Sequence, residues 1–170
     1  MWFGRESNSE PGSDEEELLQ SGFRFALSLT HHAHDAEDLT QQSWLNLARR
    51  HGRVRDKSLL FRAIRNLFYD HYRRGKIVVF EPLEEEHVEL AADDGNESAP
   101  AKGDLDVLLA GLRAAEREAL FLNCVEGYTA EEIGRLTGQP RGTVLSLLSR
   151  AKRKLRRIAA EDSSQRKPNR

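Results

Sequence analysis

The sequence predicts an all-α protein, two small helical domains joined by a flexible acidic linker. Three observations carry this. Apolar residues recur at spacings of four and three, as in Val144, Leu148, Ala151, Leu155 and Ile158, which is the period of an amphipathic helix. Residues that cap or stop helices stand between such runs: Asp35, Asp56 and Thr129 at starts, Gly52, Gly75, Gly127 and Gly138 at ends. Charge is gathered in blocks although the net is only −2. Residues 1–20 carry one positive and six negative charges, 51–76 eight and two, 77–106 one and ten, and 141–170 ten and two. Two basic blocks held apart by an acidic one point to two nucleic-acid contacts on a tether.

In chain order, residues 1–13 are polar and predicted to be disordered. Asp14 to Thr30 reads as a helix with four acids at its start, where the helix dipole favours them, and with Leu18, Leu19, Phe23, Ala26 and Leu27 inward. After a break at 31–34, Asp35 is expected to cap a second helix from Ala36 to about Arg50, with Leu39, Trp44, Leu47 and Ala48 in the core. A basic loop over 53–57 leads to a third helix capped by Asp56 or Ser58 and stopped at Gly75. Its inner side carries Leu60, Ile64 or Ala63, Leu67 and His71. Arg62, Asn66, Tyr69, Arg73 and Lys76 form a separate outward stripe whose cations, amide and ring suit phosphate and an unstacked base.

Residues 77–103 have tether composition, rich in acids and poor in apolar groups, with Val78, Val79 and Phe80 as a brief extended segment. Two helices follow, Asp104–Leu112 and Ala114–Glu126. Thr129 then caps a short helix, with Glu132 placed to bond back to the cap amide. Gly138 ends it, Pro140 suits the next helix's first turn, and the basic run 150–157 closes that helix. Two short helices, a glycine turn and a basic second helix make a helix-turn-helix. Residues 159–170 read as a disordered tail.

Cys124, the single cysteine, excludes an intrachain disulfide and is expected in the core, which fits a reducing compartment. No apolar run approaches the ~20 residues of a membrane span, and the expected location is the cytoplasm. No nucleophile–base pair or glycine-rich phosphate loop stands out, so neither catalysis nor a cofactor is expected. His31, His32 and His34 could bind zinc, but no CxxC or HExxH accompanies them.

With both basic helices placed, the sequence resembles the extracytoplasmic-function (ECF) group of bacterial sigma factors. DAEDLTQQSWLNLARR at 35–50 is similar to that family's docking helix for core RNA polymerase. LLFRAIRNLFYDHYRRGK at 59–76 is similar to its promoter-melting, minus-ten-reading helix, and 128–157 to its minus-thirty-five-reading helix-turn-helix. The resemblance implies sigma region 2 over 14–76, the linker over 77–103 and sigma region 4 over 104–158. It also implies partners: core polymerase, promoter DNA and an anti-sigma factor.

Residue by residue, it implies polymerase docking by Asp35, Glu37, Asp38, Leu39 and Gln42. Arg53, Arg55, Lys57, Arg62, Asn66, Tyr69 and Arg73 would engage the opening strand, and Arg141, Ser146, Ser149, Arg150 and Arg153 the upstream duplex. Asp70 reads instead as an ion-pair partner of Arg73 and Arg74 within its own helix. Two positions depart from the family. Leu145 stands where a basic residue is usual and Leu147 where one is frequent. A leucine at 145 removes about 1–3 kcal/mol if a bidentate guanine contact is lost, or reads a thymine methyl. The same leucines motivate an alternative, a sigma-like mimic whose helix-turn-helix binds protein rather than DNA.

Overall fold

The computed structural model describes residues 11–75 and 109–165, with side chains over 14–75 and 109–160. Among these residues lie six helices and no strand: α1 Pro11–Thr30, α2 Ala33–His51, α3 Lys57–Arg73, α4 Ala114–Cys124, α5 Ala130–Thr137 and α6 Arg141–Gln165. The predicted linker 77–103 and most of the expected helix 104–112 lie outside the described residues; residues 109 and 110 are helical.

The joints follow from local chemistry. Thr30 Oγ1 donates to the Ala26 carbonyl at 3.1 Å and accepts from the His32 amide at 3.2 Å, while His31 turns the chain at φ 55°. This tight joint lets α2 begin at Ala33, three residues before the predicted start, so His32 and not Asp35 is the N-cap. Asp35 sits inside the first turn, 3.6 Å from His32 Nδ1. Asp56 caps α3 as expected, accepting from the Ser58 and Leu59 amides at 2.8 and 3.2 Å. Lys57 is therefore the first helical residue and not part of the loop. α6 continues through 159–165, where a tail was predicted, because no glycine or proline interrupts IAAEDSSQ.

The two predicted domains share one core. Phe25 of α1, Phe61 of α3 and Phe121 of α4 form a ring cluster with centroids 4.6, 5.7 and 6.3 Å apart. Phe25, Leu29, Leu39, Leu60, Phe61, Ile64 and Phe68 are buried around it. The periodicity of α1 and α3 thus serves a face rotated from the predicted one, centred on Phe25 and Leu29, and on Phe61 and Phe68. Burying these four side chains stabilises the fold by about 1.5–3 kcal/mol each before entropy is counted.

Polar groups seal the joint between the halves. Arg117, though buried, donates from Nε to the Ser28 carbonyl at 2.8 Å, from Nη2 to Leu29 at 2.9 Å, and from Nη1 to Leu112. α1 thereby has its C-terminal carbonyls satisfied by a cation, the charge its dipole favours. Cys124, predicted in the core, is exposed, since Phe121 and Leu122 take the inward face of the last turn of α4.

The helix-turn-helix forms as predicted. Glu132 Oε2 accepts from the Thr129 amide at 2.8 Å and Thr129 Oγ1 from the Glu132 amide at 3.3 Å. That amide bond holds the Glu132 carboxyl below its usual pKa. Gly138 adopts φ 73°, the left-handed stop that glycine allows. Gly134 is needed for a different reason. A Cβ there would stand 2.6 Å from the Gln139 carbonyl, so only glycine lets the turn pass this close. Ile133, Leu136, Val144, Leu147, Leu148 and Ala151 close the small core behind it.

Candidate nucleic-acid and polymerase interfaces

Two basic helices and one acidic one present chemistry at the surface. On α3, Arg62, Asn66 and Arg73 are exposed, as is Arg55 before it. Asp70 pairs with Arg74 at 3.2 Å and more loosely with Arg73 at 3.9 Å, as its spacing predicts. Arg53 is exposed but anchored on Glu15 at 3.0 Å. An open groove of about 400 Å³ runs between α2 and α3, with Asn46, Arg50, Arg62 and Asn66 on its walls.

Tyr69 departs from the predicted outward stripe. Its ring is half-buried, its hydroxyl donates to Glu118 Oε2 at 3.3 Å, and the Arg65 guanidinium lies 4.7 Å from the ring centroid. Arg65 Nε also makes an ion contact of 2.7 Å with Glu118 Oε1. Lys57 and Arg62 likewise turn to the C-terminal half: Lys57 Nζ donates to Glu126 at 2.5 Å and Arg62 Nη2 to the Arg135 carbonyl at 3.3 Å. The stripe predicted from the sequence treats this side of α3 as free, whereas α4 and α5 pack along it.

Glu118 is the electrostatic centre of that contact. Burial disfavours its charged form and pushes its pKa up to about 7, against the opposing pull of Arg65 and of the hydrogen bonds. Two residues earlier, buried Glu116 is paired with Lys154 Nζ of α6 at 2.9 Å. Glu116, Arg117 and Glu118 are thus three successive buried charged residues, each with partners. Nothing in their sequence, EREA, distinguishes them from a solvated helix face.

α6 presents Arg141, Leu145, Lys152, Arg153, Arg156 and Arg157 to solvent. Ser146, Ser149 and Arg150 are half-exposed, and Ser146 Oγ donates to the Gly142 carbonyl at 3.0 Å. Lys154, within the basic run, turns inward to Glu116. The two unusual leucines part company: Leu145 is 41 % exposed on the face predicted to meet DNA, whereas Leu147 is buried in the core.

On α2, Glu37, Asp38 and Gln42 are exposed and Asp35 is half-exposed. Leu39, predicted to belong to the docking surface, is only 1 % exposed. It forms the floor of an open groove of about 560 Å³ walled by Asp35, Asp38 and Gln42. Leu45, absent from the predicted set, lines the same groove and is 52 % exposed. Its position three residues after Gln42, on one helix face, is the signal that would have found it. His32 and His34 lie near Asp35 and Asp38, and no group of three metal-ligating side chains converges among the described residues.

Comparison with known families matches residues 16–77 to Sigma-70 region 2 and residues 102–155 to Sigma-70 region 4. The chain is 33% identical over 151 residues to the ECF RNA polymerase sigma factor SigE of Mycolicibacterium smegmatis, covering 84% of this chain and 59% of SigE. The chain belongs to the ECF sigma-factor family. Identity to the ECF sigma factor BldN of Streptomyces coelicolor is 28% over 137 residues, 75% of this chain and 52% of BldN. To EcfG of Rhodopseudomonas palustris it is 28% over 145 residues, 83% of this chain and 80% of EcfG. The chain therefore spans only about half to three-fifths of the length of SigE and BldN. Its fold resembles that of the sigma factor RpoE of Bartonella quintana, solved with the anti-sigma factor NepR, with a TM-score of 0.64 and 24% identity over 88% of this chain and 96% of RpoE.

In this ECF chain, most of α1 and all of α2 and α3 fall within the region 2 match, and α4 through most of α6 within the region 4 match. No helix among the described residues is long and apolar enough to cross a membrane.

Proposed function

We propose that this chain acts as an alternative sigma factor. It docks on core RNA polymerase through the acidic groove of α2, reads the minus-ten element with α3 and the minus-thirty-five element with α6, and supports transcription initiation in the cytoplasm. The observation that carries this is the ordered pair of region 2 and region 4 matches, each holding a basic exposed helix. The chain works by binding, without catalysing a reaction. The half-exposed Asp35 and exposed Asp38 carboxylates around the Leu39 floor, with exposed Glu37 outside the groove on the same helix, suit a basic partner surface with apolar side chains. Extracting a base from the stack costs a few kcal/mol, which phosphate contacts from Arg55, Arg62 and Arg73 offset.

Control by an anti-sigma factor belongs to the same proposal, since RpoE, similar in fold, is held by one. A second reading, a mimic whose helix-turn-helix binds protein, is favoured by one observation, the exposed Leu145.

Binding of purified core polymerase tests the proposal. Wild type is expected to bind tightly, and Asp38→Arg to bind at least tenfold more weakly while melting at the same temperature. No wild-type binding, in a sample shown to be free of a co-purified partner, would sink the sigma reading. Polymerase binding without salt-dependent binding to promoter DNA would favour the mimic.

A further inference from the structure

Between Arg141 and Arg150, α6 carries no charged side chain, although cations crowd its later turns. The stretch GTVLSLLS therefore meets base edges without a guanidinium or an ammonium of its own. Val144, Leu147 and Leu148 are buried in the small core. At about 100° per residue, Gly142, Leu145, Ser146 and Ser149 share an arc turned away from that core. Gly142 and Leu145 are exposed, and the two serines are half-exposed. The N-terminal turns of a recognition helix are the part that reaches base edges in the major groove.

Hydrogen-bonding capacity narrows what this arc can read. Ser146 Oγ donates to the Gly142 carbonyl at 3.0 Å, which uses its one proton and leaves only lone pairs to offer. It can accept from the amino group of adenine or cytosine but cannot donate to guanine. A Cβ at Gly142 would have nothing within 4 Å, so this turn leaves room for the helix to lie close to the groove floor. Leu145 is the longest side chain of the arc and is 41 % exposed. The apolar feature that a base pair presents in the major groove is the thymine C5 methyl.

The surroundings of Leu145 decide between DNA and protein as its partner. Among the described residues of α6 it is the one exposed large hydrophobic side chain. Exposed Arg141 precedes it, and exposed Lys152, Arg153, Arg156 and Arg157 follow. A protein partner would need a contiguous apolar patch, which a single leucine among cations is not. A phosphate backbone satisfies the cations and leaves the leucine over the base edges.

We infer that Leu145 is a specificity-determining residue that selects thymine, through its C5 methyl, at one position of the minus-thirty-five element. This rests on the sigma reading above. The cations fix α6 on phosphates without reading sequence. Leu145 discriminates by excluding water from the methyl, and by leaving the polar edge of another base at that position without a partner.

The test uses the full chain joined to core polymerase and duplexes with a randomised upstream element. Duplexes selected by wild type are expected to hold thymine at one position where those selected by Leu145→Ala show no preference. Deoxyuridine in place of that thymine lacks only the methyl group. It should weaken wild-type binding about fourfold, the worth of one buried methyl. Leu145→Ala keeps helix propensity and should melt at the wild-type temperature, yet bind the two duplexes equally. With 5-methylcytosine at that position wild type should bind more tightly than with cytosine. Leu145→Arg should exchange the preference for guanine.

An equal response of wild type and Leu145→Ala to deoxyuridine overturns the inference and leaves the sigma reading standing. So does a Leu145→Ala chain that selects the same sequence but binds polymerase more weakly, since Leu145 would then touch protein. A wild-type chain that binds polymerase and selects no upstream sequence removes both this inference and the minus-thirty-five assignment. If wild type, free of a co-purified partner, does not bind polymerase at all, the sigma reading falls and the inference with it.

Discussion

Arg117 Nη2 donates to the Leu29 carbonyl at 2.9 Å, tying α4 to the C-terminal end of α1 across 88 residues of sequence. The guanidinium is 3 % exposed, so its removal strands several carbonyls where water has little access. Arg117→Met is expected to lower unfolding free energy by about 2–4 kcal/mol, because each buried polar group left unpaired costs 1–3 kcal/mol. Urea denaturation checks this, and Arg117→Lys should recover less than half. A loss below about 1 kcal/mol would mean that water replaces the guanidinium.

Glu118 predicts a pH dependence with a definite sign. Its folded pKa is raised from 4.5 to about 7, so the folded state binds the proton more tightly than the unfolded chain. Its contribution is fully present below about pH 4.5 and is lost as pH rises toward 7. At 1.36 kcal/mol per pKa unit this is on the order of a few kcal/mol. Arg65 and Tyr69 of α3 face the carboxyl, while Lys154 of α6 is held by Glu116. Urea midpoints of wild type between pH 5 and 7.5 should fall more steeply than those of Glu118→Gln. Parallel profiles would remove Glu118 from the account.

Two glycines near the helix-turn-helix should respond oppositely to alanine. At Gly134 the new Cβ would meet the Gln139 carbonyl at 2.6 Å, backbone that cannot swing aside. Overpacking of this kind costs about 1–3 kcal/mol. At Gly142, in the first turn of α6, nothing lies within 4 Å and alanine should stabilise by up to about 1 kcal/mol. Thermal melts of the two variants decide the matter; equal shifts would contradict the close approach.

Leu145 and Leu147 separate reading from packing. Leu145→Arg places a cation on the exposed face and is expected to tighten upstream-duplex binding several-fold, steepening the logarithmic salt slope by about 0.9. The melt should not move. Leu147→Arg buries a charge in the small core and should destabilise the fold by about 3 kcal/mol or more. Titrations at several salt concentrations, beside melts, distinguish them. An unchanged salt slope for Leu145→Arg would place position 145 away from DNA.

Much of the local structure was legible. The reciprocal bonds of Thr129 and Glu132, the Asp56 cap, the Gly138 stop and the Asp70 pairs with Arg73 and Arg74 are contacts within four residues, so sequence spacing determines them. The start of α2 was less so. The Thr30 hydroxyl and the left-handed His31 close the joint before Asp35 can act as a cap, and three competing polar residues leave that choice open in sequence.

The sequence by itself determined an all-α chain, its helix-turn-helix and its ECF resemblance, because helix periodicity, caps and motif spacing are local properties. Only the tertiary structure decided that the halves share a core through Phe25, Phe61 and Phe121, that Tyr69 turns to Glu118, and that Cys124 faces solvent. Periodicity says that a helix has an apolar face, but not which second helix will cover its flank. The three charges Glu116, Arg117 and Glu118 acquire their meaning only when α1, α3 and α6 bring the carbonyls and cations that make their burial tolerable.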